Sequence, residues 1–395
     1  MRYKIETERV DLFDVNIIIT MVVRLEKQVS SEELSAAFDK AIRVHEVLNS
    51  KVIIEETGEA FYTDNDTPRS SFNVTQMSLF ELITQNEKIR FRIEEGEWIR
   101  GFDSPEGIIF MMHHLGGDGK SLLYFIETIM AILAGEEPAF VPFRNLTLDN
   151  LPADSKIPFF YEPIVRSWNR KWLKVKKVFT FEDLDKAHES FWKNHRTKTE
   201  TTRYEGAELK QLIQSAKDAD VTLTSYLIAD MSKDIPGKTD AGLAVDGRTD
   251  GNRSMGNQAT GISVEFSYDA GKSVADNART VQKLMKKKLS NDRYRYFVLQ
   301  FMGRLDDTLK DALNLEHAGY FHSSISSYLA ELLGYGSKAR DISVTNLTRA
   351  DIPLEYGDHR ITEIIFIPPV VSYAKNVIGI VTAGDVMYVT RHIYI

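Results

Sequence analysis

The stretch GIIFMMHHLGGDGKS, residues 107–121, decides how this chain is read. Gly107 to Met112 is an unbroken apolar run with the length of a buried strand. His113 and His114 follow, then Leu115-Gly116-Gly117 and Asp118-Gly119. From Ser121 the pattern becomes helical: Leu122, Phe125, Ile126, Ile129, Ile132 and Leu133 form one apolar stripe, and Gly135 is a natural stop. Strand, glycine-rich turn and helix together place an imidazole and a carboxylate four residues apart on rigid elements.

The rest of the sequence limits what such a base can serve. At 395 residues the chain exceeds one ordinary core and predicts two domains. The net charge of −8 argues against nucleic acid as a partner, because that binding needs a basic face to neutralise phosphates. There is no cysteine, so disulfides, thiol catalysis and Cys-based zinc sites are excluded. The first residues, MRYKIETERVDLFD, are charged throughout and lack the apolar centre of a signal peptide. Apolar runs such as Ile17–Val23 fall far short of the roughly 20 residues of a membrane helix, so no membrane span and a cytoplasmic location are expected.

Working outward, residues 15–25 are β-branched and read as a strand. Ser30 followed by Glu32 and Glu33 opens a helix with Leu34, Ala37, Phe38, Ala41, Ile42 and Leu48 at helical spacing. Lys51–Glu55 is a strand before the turn Thr57-Gly58-Glu59, and the alternation in residues 89–94 predicts another. Five prolines between 138 and 163 mark a crossover. The expected domains are residues 1–150, a linker over 151–194, and residues 195–395. In the second domain, residues 205–230 read as two helices; strands are expected at 260–267, 341–347, 361–366, 377–381 and 385–394. Two readings compete for the basic run RSWNRKWLKVKK, 166–177. It is a contact for donor phosphates, a carrier protein or an acidic surface, or it is a solvated helix face whose Trp168 and Trp172 pack inward.

Rival readings of the central motif fail on spacing. A phosphate loop G-x-x-x-x-G-K-S needs glycine at position 114, where histidine stands. A metal site needs three or four ligands, and neighbouring side chains on a strand point to opposite faces, so only one histidine can join Asp118; no metal is expected. By this chain's composition, H-H-x-x-x-D-G should arise by accident on the order of 10⁻³ times per chain.

His113-His114-Leu-Gly-Gly-Asp118-Gly119 resembles the HHxxxDG signature of the CoA-dependent acyltransferase superfamily. That group includes chloramphenicol acetyltransferase, nonribosomal-peptide condensation domains, alcohol acetyltransferases and plant BAHD acyltransferases. Three further segments are similar, in matching order. Residues 41–48, AIRVHEVL, resemble the early helix ending R-H-x-x-L-R. Val245-Asp246-Gly247-Arg248 with Met255-Gly256-Asn257 resembles the V-D-x-R…G-N segment. Val344-Thr345-Asn346-Leu347 resembles the late S-N-L-G strand. The D-F-G-W-G motif of the plant branch is missing, and Thr348 stands where many relatives have glycine.

The resemblance implies an α/β fold: two chloramphenicol-acetyltransferase-like αβ sandwich domains in a V with a central channel. It implies that His114 is the general base, an imidazole suiting a proton acceptor near neutrality. Gly116, Gly117 and Gly119 would let backbone approach a tetrahedral oxyanion. Thr345, beside Asn346, would be a further donor. Asp118 would be structural and orient the loop by pairing with Arg248; the competing reading makes Arg248 a surface turn residue in DGRTDGNR. His113 would be packed rather than catalytic, and the remaining histidines ordinary. No bound cofactor is implied. An acyl-CoA or acyl-carrier-protein thioester would be co-substrate, a small-molecule alcohol the acceptor, and an acyl carrier protein a possible partner. The alternatives are a free-standing condensation domain that makes an amide from carrier-bound substrates, and a catalytically silent docking relative.

Overall fold

The structure is a computed structural model and describes residues 1–248 and 251–395. The first half runs β1 (Arg2–Lys4), β2 (Ile18–Leu25), α1 (Ser31–Val44), β3 (Ser50–Ile54), β4 (Ala60–Asp64), β5 (Ser71–Val74), α2 (Leu79–Asn86), β6 (Ile99–Ser104), β7 (Gly107–His113) and α3 (Gly119–Leu133). Helices α4 (Tyr161–Trp172) and α5 (Phe181–Asn194) lead into the second half. There follow β8 (Thr197–Glu205), α6 (Gly206–Asp218), α7 (Leu223–Ser232), β9 (Lys238–Asp246), β10 (Ala259–Ser267), α8 (Val274–Leu289), α9 (Asp292–Arg295) and α10 (Phe297–Met302). The chain closes with α11 (Asp307–His317), α12 (Ser324–Leu332), β11 (Ile342–Arg349), β12 (Glu355–Tyr356), β13 (His359–Ile367), β14 (Asn376–Ala383) and β15 (Val386–Tyr394).

Two six-stranded sheets organise two lobes. The first has the order β12-β13-β2-β7-β6-β5, the second β10-β9-β11-β14-β15-β8, and a small sheet β1-β4-β3 stands beside the first. Strand β7 lies at the centre of the first sheet because Ile108 to Met112 are buried on both faces. Helices α1 and α3 pack together over this sheet through Phe38, Phe110 and Phe125, whose rings meet edge-on or stacked. Capping boxes at Ser30 and Ser78 start α1 and α2.

Three features depart from the sequence reading. Residues 355–367 belong to the first sheet: β13 pairs with β2 from Ile361↔Leu25 to Ile367↔Thr20, so the chain of the second half completes the lobe of the first. Its Ile364 to Ile367 are buried, as a strand entering a sheet interior requires. The expected linker contains two helices, of which α5 is fixed by the Thr180–Asp183 capping box and by Trp192 Nε1 donating to Val15 O at 2.9 Å. The alternating residues 89–94 form no strand. Phe91 and Ile93 are buried, but Arg90 also turns inward to Asp185 (2.7 Å) and Glu94 (2.9 Å), and the chain closes in a turn at Ile93–Glu95.

Candidate functional site

Strand β7 delivers the motif. His113 is its last residue, opposite Ile18 of β2, and its backbone N–H donates to Trp98 O at 3.0 Å. The chain then tightens into one turn, His114–Gly116, before α3. The two histidines receive different environments. His113 is buried between Phe91 and Trp98, and its Nδ1 accepts the Leu115 N–H at 3.2 Å. Burial first, then the charges of His114, Arg90 and Arg100, pushes its imidazole down to about 3. His113 is a neutral acceptor that shapes the turn. His114 is only half-buried; its backbone N–H donates to Ile17 O at 3.1 Å, while its ring Nδ1 is buried without a hydrogen-bond partner among the described residues.

Asp118 caps α3, its Oδ1 accepting from the Ser121 N–H at 2.9 Å. Arg248, arriving after β9 from the other lobe, donates Nη1 to Asp118 Oδ2 at 2.8 Å and Nη2 to Oδ1 at 3.2 Å. The same guanidinium reaches Ser121 Oγ at 2.9 Å, and the Gln258 N–H adds a bond to Asp118 Oδ2 at 3.1 Å. Burial alone would raise the Asp118 carboxyl. The Arg248 charge, the Arg248 hydrogen bonds and the Ser121 and Gln258 N–H groups outweigh it and hold the group below its ordinary value. The segment around Gly256 completes the stitch between lobes. Its N–H donates to Gly116 O at 3.1 Å, and its carbonyl accepts from Ser121 Oγ at 3.0 Å. Asp118, Arg248, Ser121, Gly256 and Gln258 therefore fix the turn that carries His114.

Close approach explains two of the glycines. A Cβ on Gly117 would lie 2.5 Å from Ser121 Cβ. One on Gly119 would lie 2.9 Å from Leu347 Cδ2 and 3.0 Å from Phe366 Cζ, so the end of β11 packs directly on the start of α3. Thr345 is half-buried on β11, which runs parallel to both β9 and β14. Asn346 is not turned to the histidine: its amide donates to Thr224 Oγ1 at 2.8 Å, and its Oδ1 accepts the Thr348 N–H at 2.7 Å. That Asn346–Thr348 turn breaks the β11 register, and it holds Thr348 at φ +60°, a left-handed conformation that costs a β-branched residue.

Sequence reasoning missed Asp11. This carboxylate is buried, accepts from Asn257 Nδ2 at 2.7 Å, and lies close enough to feel the charge of His114. Burial raises its carboxyl above the ordinary value, with His114 and Asn257 acting in the opposite direction. The signal available was the run of acids in ERVDLFD, which by itself does not reveal that Asp11 faces the motif. The basic run resolves in favour of packing on one side. Trp172 is buried with Nε1 on Thr308 Oγ1 at 2.8 Å, and Trp168 meets Phe301 edge-on.

No family model matches the chain, and no curated protein matches it in sequence. Solved structures do share its fold. The first condensation domain of the CDA synthetase superposes with a TM-score of 0.65 at 12% identity, over 99% of this chain and 90% of that one. A starter condensation domain of rhizomide synthetase, solved with C8-CoA and Leu-SNAC, gives 0.61 at 12% identity, over 99% and 88%. Polyketide synthase associated protein 5 from Mycobacterium tuberculosis gives 0.59 at 12% identity, over 98% and 92%. The chain has the two-lobed α/β fold of condensation domains. Among the described residues no helix is long and apolar enough to cross a membrane, and no cluster of three or more His, Asp or Glu side chains could hold a metal ion.

Proposed function

We propose that this protein is an acyltransferase that moves an acyl group from a CoA or carrier-protein thioester to a small-molecule hydroxyl, with His114 as the general base. The observation that carries this is the asymmetry of the histidine pair. His113 is buried and locked as an acceptor of a backbone N–H. His114 is half-exposed on a turn clamped by the Asp118–Arg248 pair between lobes. The shared fold supports the reading, and the rhizomide synthetase domain was solved with a CoA thioester.

In the reaction, the acceptor O–H gives its proton to the His114 imidazole, at the ring nitrogen opposite the buried Nδ1, as its oxygen attacks the thioester carbonyl. The tetrahedral oxyanion collapses, the C–S bond breaks, and the imidazolium returns the proton to the departing thiolate. No covalent enzyme intermediate forms. The carbonyl oxygen would be met by backbone around Gly116, Gly117 and Gly119, with Thr345 as a further donor. Asp11 is a positioning residue: its carboxylate favours the imidazolium while the proton is held.

The experiment is thiol release from a panel of acyl-CoAs and acyl-carrier thioesters, each with mixed alcohols and with mixed amines. The absence of cysteine removes the protein's own thiol background. Release that requires an alcohol supports the proposal and names the donor. Release only with amines moves the function to amide formation of the condensation-domain kind. No acceptor-dependent release from either donor class overturns enzymatic transfer and leaves a docking relative.

A further inference from the structure

Helix α4 turns one side into the protein and leaves an unusual other side. The inner side is fixed by buried Val165 and Trp172, and by Asn169 Nδ2 donating to Arg304 O at 2.9 Å. Before its first turn, Phe159 is 87% exposed and Phe160 53% exposed. Ile164 is exposed within the helix, and Leu173 and Val175 just beyond its end. Between these apolar ends, Arg166, Arg170, Lys171 and Lys174 face solvent. None of the four has an ion pair or hydrogen bond among the described residues, although the neighbouring Lys176 and Lys177 are paired with Asp306 (3.5 Å) and Asp183 (2.9 Å). Glu162, the acid on this helix, is taken by Arg304 at 2.9 Å. Helix α12 packs against α4 and adds exposed Tyr328 and Leu332, one turn apart.

Single exposed apolar residues are ordinary, and so are solvated charge runs. Here the two coincide on one face, with bulky side chains at both ends of four unpaired cations. We infer that this face docks the protein, peripherally, on an anionic lipid bilayer. A protein of net charge −8 is repelled by such a surface everywhere except where cations gather, so α4 sets both the attraction and the orientation. The aromatic and aliphatic ends enter the headgroup boundary, while the Arg and Lys stems reach the lipid phosphates. At 12 residues, about 18 Å long, α4 lies on a bilayer and does not cross it. The inference is independent of the acyl-transfer reading.

The test is co-sedimentation of the whole protein with vesicles of phosphatidylcholine alone and of phosphatidylcholine with phosphatidylglycerol, at low and high salt. The expected result is pelleting with the anionic vesicles only, weakened by salt. Arg170→Glu with Lys174→Glu should lower partitioning at least about tenfold, since each cation near the surface is worth about fivefold. Phe159→Ser with Phe160→Ser should lower it several-fold even at low salt. All four positions are exposed, and unchanged thermal unfolding verifies the fold of each variant. No pelleting of the wild type with anionic vesicles overturns the inference, as does equal pelleting of wild type and both variants. If a soluble acidic protein binds this face and the vesicles do not, the face serves proteins and the lipid assignment fails.

Discussion

Two buried carboxylates flank the His114 turn, and the chain treats them in opposite ways. Asp118 receives the Arg248 guanidinium, two backbone N–H groups and the Ser121 hydroxyl, and is held below its ordinary value. Asp11 meets one amide, that of Asn257, and the field of His114, and burial leaves it raised. A buried charge compensated on every side is a structural element. One left short of compensation responds to the protonation of its neighbour. The contrast assigns Asp118 to holding the turn and, under the proposed mechanism, Asp11 to the imidazole that the turn presents.

The strongest way to break this contrast is to remove Asp118. Asp118→Asn leaves Arg248 only the half-exposed carboxylate of Asp246 at 3.1 Å and should cost about 3 kcal/mol in urea unfolding, with activity lost through the fold. Adding Arg248→Met should cost less than the sum of the two single changes. The pH dependence carries the same signature. Because Asp118 is depressed in the folded protein, its contribution is present above the ordinary carboxylate range and lost as pH falls through its folded value. Asp118→Asn should flatten the acid limb of stability below about pH 4.

The next test concerns the two histidines. His113, pushed down to about 3, stays neutral in the fold while an unfolded histidine titrates near 6.5. Its contribution is therefore complete above about pH 6.5 and declines as pH falls toward the folded value, by a few kcal/mol in all. In His113→Asn, which keeps an acceptor for the Leu115 N–H, urea midpoints should change less between pH 6.5 and 4 than in the wild type.

Asp11→Asn sharpens the contrast from the other side. It should leave stability unchanged or raised, because a poorly compensated buried charge is removed. It should slow transfer about tenfold or more, since the imidazolium formed in the proposed mechanism loses a favourable neighbour. A smaller effect is expected at Thr348, where relief of the left-handed backbone makes Thr348→Gly more stable by about 1–2 kcal/mol in thermal or urea unfolding.

Much of this site was legible in the sequence because its parts are local. An apolar run ending in histidines, an aspartate at a helix start, and the Arg248 and Gly256 segments can all be quoted from the chain. What escaped depends on distant backbone. Asp11 reaches the motif through the fold of the amino-terminal segment. Strand β13 reads as a strand, yet nothing in Ile361–Ile367 states that it will pair with β2 of the other lobe. Arg90 turns its side chain inward to Asp185 and Glu94, so its alternation with Phe91 and Ile93 imitates a strand pattern without being one. Thr348 departs from a motif glycine but retains the backbone that glycine suits, with Asn346 supplying the turn.

The claim at the centre is that His114, held by this turn, moves the proton. The most direct measurement is thiol release by His114→Ala beside the wild type with the best donor and acceptor, together with the urea midpoint of each. The account predicts a loss of about 10²–10⁴-fold in rate at an unchanged midpoint. A folded His114→Ala protein that transfers at the wild-type rate would contradict it.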